Sequence, residues 1–222
     1  MKKSVSILMA FTLLFSLAAC SSNTTEGESS SPAPQSSGQS SSPTAGENDQ
    51  DSSSSDTELT ETGSKSLVVY FSWSGNTQNV AEAIQAQTDS DIFEIVPATP
   101  YSDDYDTVVD LAQEEQRNNA RPAISGSIEN MEQYDIIYVG FPNWWGGMPM
   151  ILYTFFDDYD LSGKTIAPFC TSGGSGLSNT VNEIKELEPN ATVTDGLHIG
   201  SSSASTPDNA VSGWLSDIGL AR

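Results

Sequence analysis

The stretch SLVVYFSWSGNT, residues 66–77, decides the fold. Ser66–Phe71 is an almost unbroken β-branched and aromatic run of strand length, the pattern of a strand covered on both faces. Ser72, Trp73, Ser74, Gly75, Asn76 and Thr77 follow as a polar turn. Thr77 is placed to cap a helix whose Val80, Ala81 and Ile84 share one face. A buried strand that turns directly into an amphipathic helix is the opening of a βαβ unit.

The unit recurs along the chain. Strand-like runs are expected at Asp91–Val96, Tyr134–Gly140, Thr165–Cys170 and Thr192–Ile199. Helical stripes alternate with them: Tyr105, Val108, Val109 and Ala112; Ile151, Leu152, Phe155 and Phe156 after Pro149; Leu177, Val181, Ile184 and Leu187; and Val211, Trp214, Leu215 and Ile218 after Pro207. Arg117–Gln133 reads as an irregular connection. The sum is a doubly wound α/β domain: a five-stranded parallel sheet with right-handed crossovers and helices on both faces.

That domain fills residues 65–222 of the 222-residue chain. No aromatic residue lies between Phe15 and Tyr70. Residues 1–20 read as an address. Lys2 and Lys3 precede an apolar run, Val5–Ala19, that is shorter than the ~20 residues needed to span a bilayer. The run ends in Leu17, Ala18, Ala19 and Cys20, which resembles the lipobox of bacterial lipoproteins. In those proteins the cysteine is diacylated, and two acyl chains give stable anchoring. An ordinary signal peptide with an incidental cysteine, or a short anchor helix, is the alternative. Residues 21–64 contain 15 Ser and eight acidic residues without a single Lys or Arg. Such a segment buries too little apolar surface to offset its ordering entropy, so a disordered linker is expected.

Eight basic against 30 acidic residues give a formal charge of −22, which excludes a phosphate-backbone partner such as nucleic acid. Cys20 and Cys170 are too few for a disulfide scaffold, and the lone His198 excludes a multi-histidine metal site. No metal is expected.

Ligands of open α/β sheets bind outside the carboxyl ends of the strands. Three unusual segments fall there. The first, Ser72–Thr77, offers hydroxyls and turned backbone N–H groups at a helix start, where the dipole favours an anion. The second holds Pro142, Asn143, Trp144, Trp145, Gly146 and Gly147. Two adjacent tryptophans cannot both enter one core. One is expected to plug the sheet end and the other to offer a flat face to a planar ligand. The third, Thr171, Ser172, Gly173, Gly174, Ser175 and Gly176, permits close backbone approach. It falls short of a dinucleotide fingerprint because Asn179 stands where a third glycine belongs. A Ser175–His198 hydrolase is the non-redox enzyme alternative. Cys170 and His198 otherwise read as structural residues.

On these three segments the chain resembles the flavodoxin family, over about Ser66–Ile218. Ser72, Ser74, Gly75, Asn76 and Thr77 match the family's phosphate loop, with Trp73 at its variable position. The resemblance implies strand order 2-1-3-4-5 and FMN at the carboxyl edge. Trp144 or Trp145 would stack on the isoalloxazine, and Thr171–Gly176 would line its pyrimidine side. Many flavodoxins carry a tyrosine in the third loop; this chain has none, which leaves room for a substrate over the ring. The expected function is electron transfer through FMN, to a redox partner protein or a small-molecule acceptor, by a protein lipid-anchored outside the cytoplasm. No catalytic acid or base is placed at the loops. An NAD(P)H-dependent FMN or quinone reductase and a non-catalytic flavin-binding lipoprotein are the alternatives. The scarcity of Arg and Lys near the loops weighs against NADPH.

Overall fold

The computed structural model describes residues 64–222. The expected leader, the expected lipobox with Cys20 and all of the expected linker but Ser64 lie outside the described residues. The elements run β1 (Ser66–Tyr70), α1 (Asn76–Thr88), β2 (Asp91–Glu94), β3 (Val96–Pro97), α2 (Tyr105–Asn118), β4 (Ile124–Ser125), a 3₁₀ turn (Met131–Gln133), β5 (Ile136–Pro142), α3 (Met150–Asp158), β6 (Thr165–Ser172), α4 (Thr180–Leu187), β7 (Thr192–Val193), β8 (Leu197–Gly200) and α5 (Asp208–Asp217).

The main sheet is parallel, in the order β2-β1-β5-β6, with β7 and β8 both along the far side of β6. β7 pairs with Thr165 and Ile166, and β8 pairs with Phe169–Ser172. They are two pieces of one edge position, so the spatial order is the expected 2-1-3-4-5. The run expected as one strand over Thr192–Ile199 breaks at Thr194–Gly196. Leu177 and Val181 crowd Gly196 there: a Cβ on it would sit 3.0 Å from both.

Alternating strand residues feed two cores. Leu67, Val69, Phe71, Ile137, Val139, Phe141 and Ile166 pack against Ile151, Leu152 and Phe155 of α3 and Ile184 of α4. Val68, Tyr70, Tyr138, Ala167 and Phe169 pack on the other face, against Val80 and Ile84 of α1 and Val211, Trp214 and Leu215 of α5. Gly140, in the central strand, lets the Phe169 ring cross it, since a Cβ there would collide with the ring. Burying both faces explains why the first and third strands read as continuous apolar runs.

Three expectations are corrected. The second strand ends at Glu94. Val96 and Pro97 turn away and pair antiparallel with Ile124 and Ser125, which lie inside the stretch expected to be irregular. Pro97 and the brevity of both strands hid this ribbon, since the pattern of a two-residue strand has no period. The third strand runs on to Pro142, and the fourth to Ser172. Pro142, Thr171 and Ser172 are therefore strand residues, not loop residues. Finally, Thr77 does not cap α1. Gly75 holds the N-cap position at φ 84°, and Thr77 is buried in the first turn.

Candidate functional site

The first loop is held by one side chain. Ser72 Oγ accepts from the N–H of Gly75 (3.1 Å) and of Gln78 (3.3 Å), which takes over the capping expected of Thr77. The Thr77 hydroxyl instead meets that of Thr171 at 2.9 Å, joining the first loop to the third. Asn76 Nδ2 donates to Ser74 Oγ at 3.3 Å. The backbone N–H groups of Ser74, Asn76 and Thr77 have no acceptor among the described residues. Leading N–H groups of a helix have no partner within it; Ser72 Oγ serves that of Gln78, and no side chain serves these three. The loop thus offers three amide donors at the positive end of α1, with Gly75 in a conformation that a Cβ would strain.

The second segment is a tight reverse turn. Trp144 and Gly147 exchange backbone hydrogen bonds at 3.0 Å each. The central pair, Trp145 and Gly146, have φ of 53° and 80°, as a type I′ turn requires. Gly146 N–H donates to Asn143 Oδ1, while Asn143 Nδ2 donates to Gly176 O and Ser178 Oγ. One asparagine therefore ties the second loop to the third. The turn separates the two tryptophans as expected. Trp144 is the plug, edge-on to Phe71 at 5.4 Å and to Tyr101 at 5.3 Å. Trp145 is 55% exposed, and its indole N–H donates to Val109 O of α2 at 3.0 Å.

Between the first two loops and α2 lies a cleft of about 320 Å³. Trp73, Asn143, Trp144, Trp145 and Gly146 line it, together with Ser175 of the third loop. The remaining expected site residues, Ser72, Ser74, Gly75, Asn76, Thr77, Pro142, Thr171, Ser172, Gly173, Gly174 and Gly176, stand behind or beside it. The sequence reading missed one wall altogether. Tyr105, Val108, Val109 and Ala112, read in the sequence only as a helical stripe, face the cleft. Only Val108 and Ala112 of α2 are buried, and Tyr105 is 65% exposed. Asp104 is spent on capping α2, accepting from Thr107 N–H and hydroxyl. Those two bonds hold its carboxyl below the usual range.

The third segment is closed on itself. Ser172 Oγ accepts from the N–H of Gly174 and Gly176 and lies 2.8 Å from His198 Nε2. The histidine partner is thus Ser172, not Ser175. Ser172 is buried and its oxygen is fully used, which makes it a poor nucleophile and removes the hydrolase geometry. Cys170 donates its thiol hydrogen to Gly176 O at 3.2 Å. Burial pushes that thiol up to about 12, so it stays protonated and inert. Among the described residues there is no cluster of metal-ligating side chains, and no helix is long and apolar enough to cross a membrane.

An anion cradle and an aromatic cleft at the carboxyl edge of a 2-1-3-4-5 sheet define a flavodoxin-like protein. A family model described as flavodoxin matches residues 65–218, and the chain belongs to that family. It is 35% identical to a protein of Bacteroides eggerthii classed as a flavoprotein, over 71% of this chain and 99% of that one, with a TM-score of 0.64. A Bacteroides uniformis protein of the same class is 32% identical, over 69% and 99%, with a TM-score of 0.63. A Lactobacillus acidophilus flavoprotein solved in complex with FMN is 28% identical, over 64% and 95%, with a TM-score of 0.55. Comparison with curated proteins gives no match.

Proposed function

We propose that the domain binds FMN and transfers electrons through it, and that Cys20 carries a lipid that tethers the protein outside the cytoplasm. The observation that carries the cofactor is the trio of unpartnered amides at the α1 start, beside a cleft walled by tryptophan. The donor set fits a phosphate monoester: Ser74, Asn76 and Thr77 N–H would bind its oxygens, with charge assistance from the helix end. The cleft suits a planar ring, with Trp145 free to offer its face and Trp144 fixing the floor. The FMN complex of the Lactobacillus relative supports the same choice.

FMN would supply the redox chemistry; the chain binds, orients and shields it. No acid or base is required of the protein, and none stands in the cleft wall. Redox carriage to a partner protein or a small acceptor is therefore favoured over a dedicated NAD(P)H reductase. No Lys or Arg lines the cleft to receive the extra phosphate of NADPH.

The test is direct. The full-length protein should purify yellow, and mass spectrometry of the released chromophore should read FMN. A colourless protein that takes up no added FMN would remove the reading. Bleaching by NADH or NADPH alone would move it from carrier to reductase. Cys20→Ala should leave the membrane fraction and still bind flavin; retention of the cleaved mutant on the membrane would refute the anchor.

A further inference from the structure

At the amino edge of the sheet, opposite the cleft, lies a second cavity of about 440 Å³. Ser66, Thr88 and Tyr138 line it and are buried, while Ile136, Leu220 and Arg222 are partly or fully exposed at its mouth. The hydroxyls of Ser66 and Thr88 are spent within the fold. That of Tyr138 is not. The side chain is 1% exposed and its ring packs edge-on to Trp214 at 6.0 Å, yet among the described residues no group hydrogen-bonds its oxygen. Burial pushes this phenol up to about 12 and the Arg222 charge opposes, which puts the hydroxyl end on the Arg222 side of the cavity. Arg222 is underused as well. Among the described residues its one salt bridge is to Asp89, at 3.4 Å, with the Asp89 side chain 96% exposed. A solvent-exposed pair of this kind contributes little. Apolar walls, an unspent buried hydroxyl and a cation at the mouth suit an apolar group carried beside an anion.

The chain holds such a group close by. Ser64 borders the cavity and is continuous with the tether. The tether changes character near this end. Residues 52–55 are four serines, whereas residues 57–63 read Thr-Glu-Leu-Thr-Glu-Thr-Gly. Leu59 is the only large aliphatic residue in 21–64. We propose that residues 57–63 fold back onto the amino-edge cavity, with Leu59 filling it and Glu61 paired with Arg222. In an extended chain Leu59 and Glu61 share one face, and the three β-branched threonines favour that backbone. A backbone carbonyl of the segment would accept the Tyr138 hydrogen. The five residues from Leu59 to Ser64 span at most about 17 Å, enough to return over a cavity that Ser64 itself borders. Attachment through so short a linker gives the segment an effective concentration in the millimolar range, an advantage that a free ligand or a second copy lacks.

Docking would shorten the free part of the tether to residues 21–56 and fix the direction in which it leaves the domain. With the lipid anchor proposed above, the carboxyl-edge cleft would then face away from the membrane. That orientation rests on the anchor; the docking does not.

Two measurements on the full-length protein test this, and neither needs lipid or flavin. The first reads nuclear Overhauser contacts. The Leu59 methyl groups should touch the Tyr138 ring and the Ile136 side chain; Leu59 methyls at random-coil shifts without these contacts would overturn the proposal. The second compares resonances of the wild type, Leu59→Ser and Glu61→Lys, all altered outside the folded core. Leu59→Ser should lower the docking equilibrium at least about tenfold, moving Ile136, Tyr138 and Leu220 but not Trp145 at the far edge. Glu61→Lys should lower it about two- to fivefold in low salt, with the difference shrinking as salt is added. Cavity resonances that ignore Leu59→Ser would overturn the proposal. If those resonances moved instead with protein concentration, the cavity would belong to a second copy of the chain.

Discussion

At the amino edge of the sheet, Ser66, Thr88 and Ser90 are buried and close on one another. Thr88 Oγ1 donates to Ile84 O at 2.7 Å, so it accepts from Ser90 at 2.6 Å, and Ser90 in turn accepts from Ser66 at 2.6 Å. Every hydrogen has a protein acceptor. At the carboxyl edge a segment equally rich in hydroxyls leaves three amides unpartnered. The lesson is that a polar cluster marks a site only where donors remain unspent. Several of the basic residues lie at the amino edge. Lys65 precedes β1, Lys164 precedes β6, and Arg117 and Lys185 sit in the last turns of α2 and α4. Crossover helices run back along the sheet, so these last turns lie at the amino edge. Asp103, Asp104 and Asp106 flank Tyr105, which lines the cleft.

The largest expected effect would break the comparison outright. FMN should bind at least about a hundredfold more tightly than riboflavin, since each charge-assisted bond contributes about 1.5–3 kcal/mol. Calorimetry with both ligands checks this, and equal affinities would mean that the carboxyl-edge amides hold no phosphate. Next, the two tryptophans should separate. Trp144→Ala should cost about 3 kcal/mol of stability through lost packing, whereas Trp145→Ala should weaken FMN binding with little change in stability. Paired denaturant melts and flavin titrations read both.

The two hydroxyl clusters can then be set against each other. Thr88→Val orphans the Ser90 hydrogen and should cost about 1–3 kcal/mol without touching flavin affinity. Ser72→Ala frees the Gly75 and Gln78 amides and should weaken flavin binding more than it lowers stability. The reverse pattern in urea melts would cancel the distinction between the edges. A smaller effect follows from charge: the bound flavin's midpoint potential should lie below that of free FMN in low salt and rise as salt is added. The shift should stay within about 60 mV, one tenfold factor for a one-electron couple, because exposed charges are screened. Smallest is Glu115. Burial raises its carboxyl, with the Tyr101 hydrogen bond opposing. A raised carboxyl destabilises the fold once pH rises through its unfolded value. Glu115→Gln should therefore stabilise the protein slightly at neutral pH and not at pH 3.

The alternation of strands and helices and the two-faced sheet were legible because burial on both faces writes unbroken apolar runs such as Leu67–Phe71 and Ile136–Phe141; the strand order came only from the family resemblance. The β3–β4 ribbon was not legible, because two residues carry no period. The α2 wall was missed for a related reason. A stripe such as Tyr105, Val108, Val109 and Ala112 shows that a face is apolar, not what that face covers.

The sequence by itself determined the class of the fold, the edge that carries the site and the surplus of negative charge. These follow from periodicity, glycine placement and composition, which are local properties. Tertiary structure alone decided which donors remain free, which tryptophan packs against the core, and that His198 answers to Ser172 and not to Ser175. Ser172 and His198 are 26 residues apart. Only the parallel register of β6 with β8 brings them together, and no local pattern encodes a register between strands.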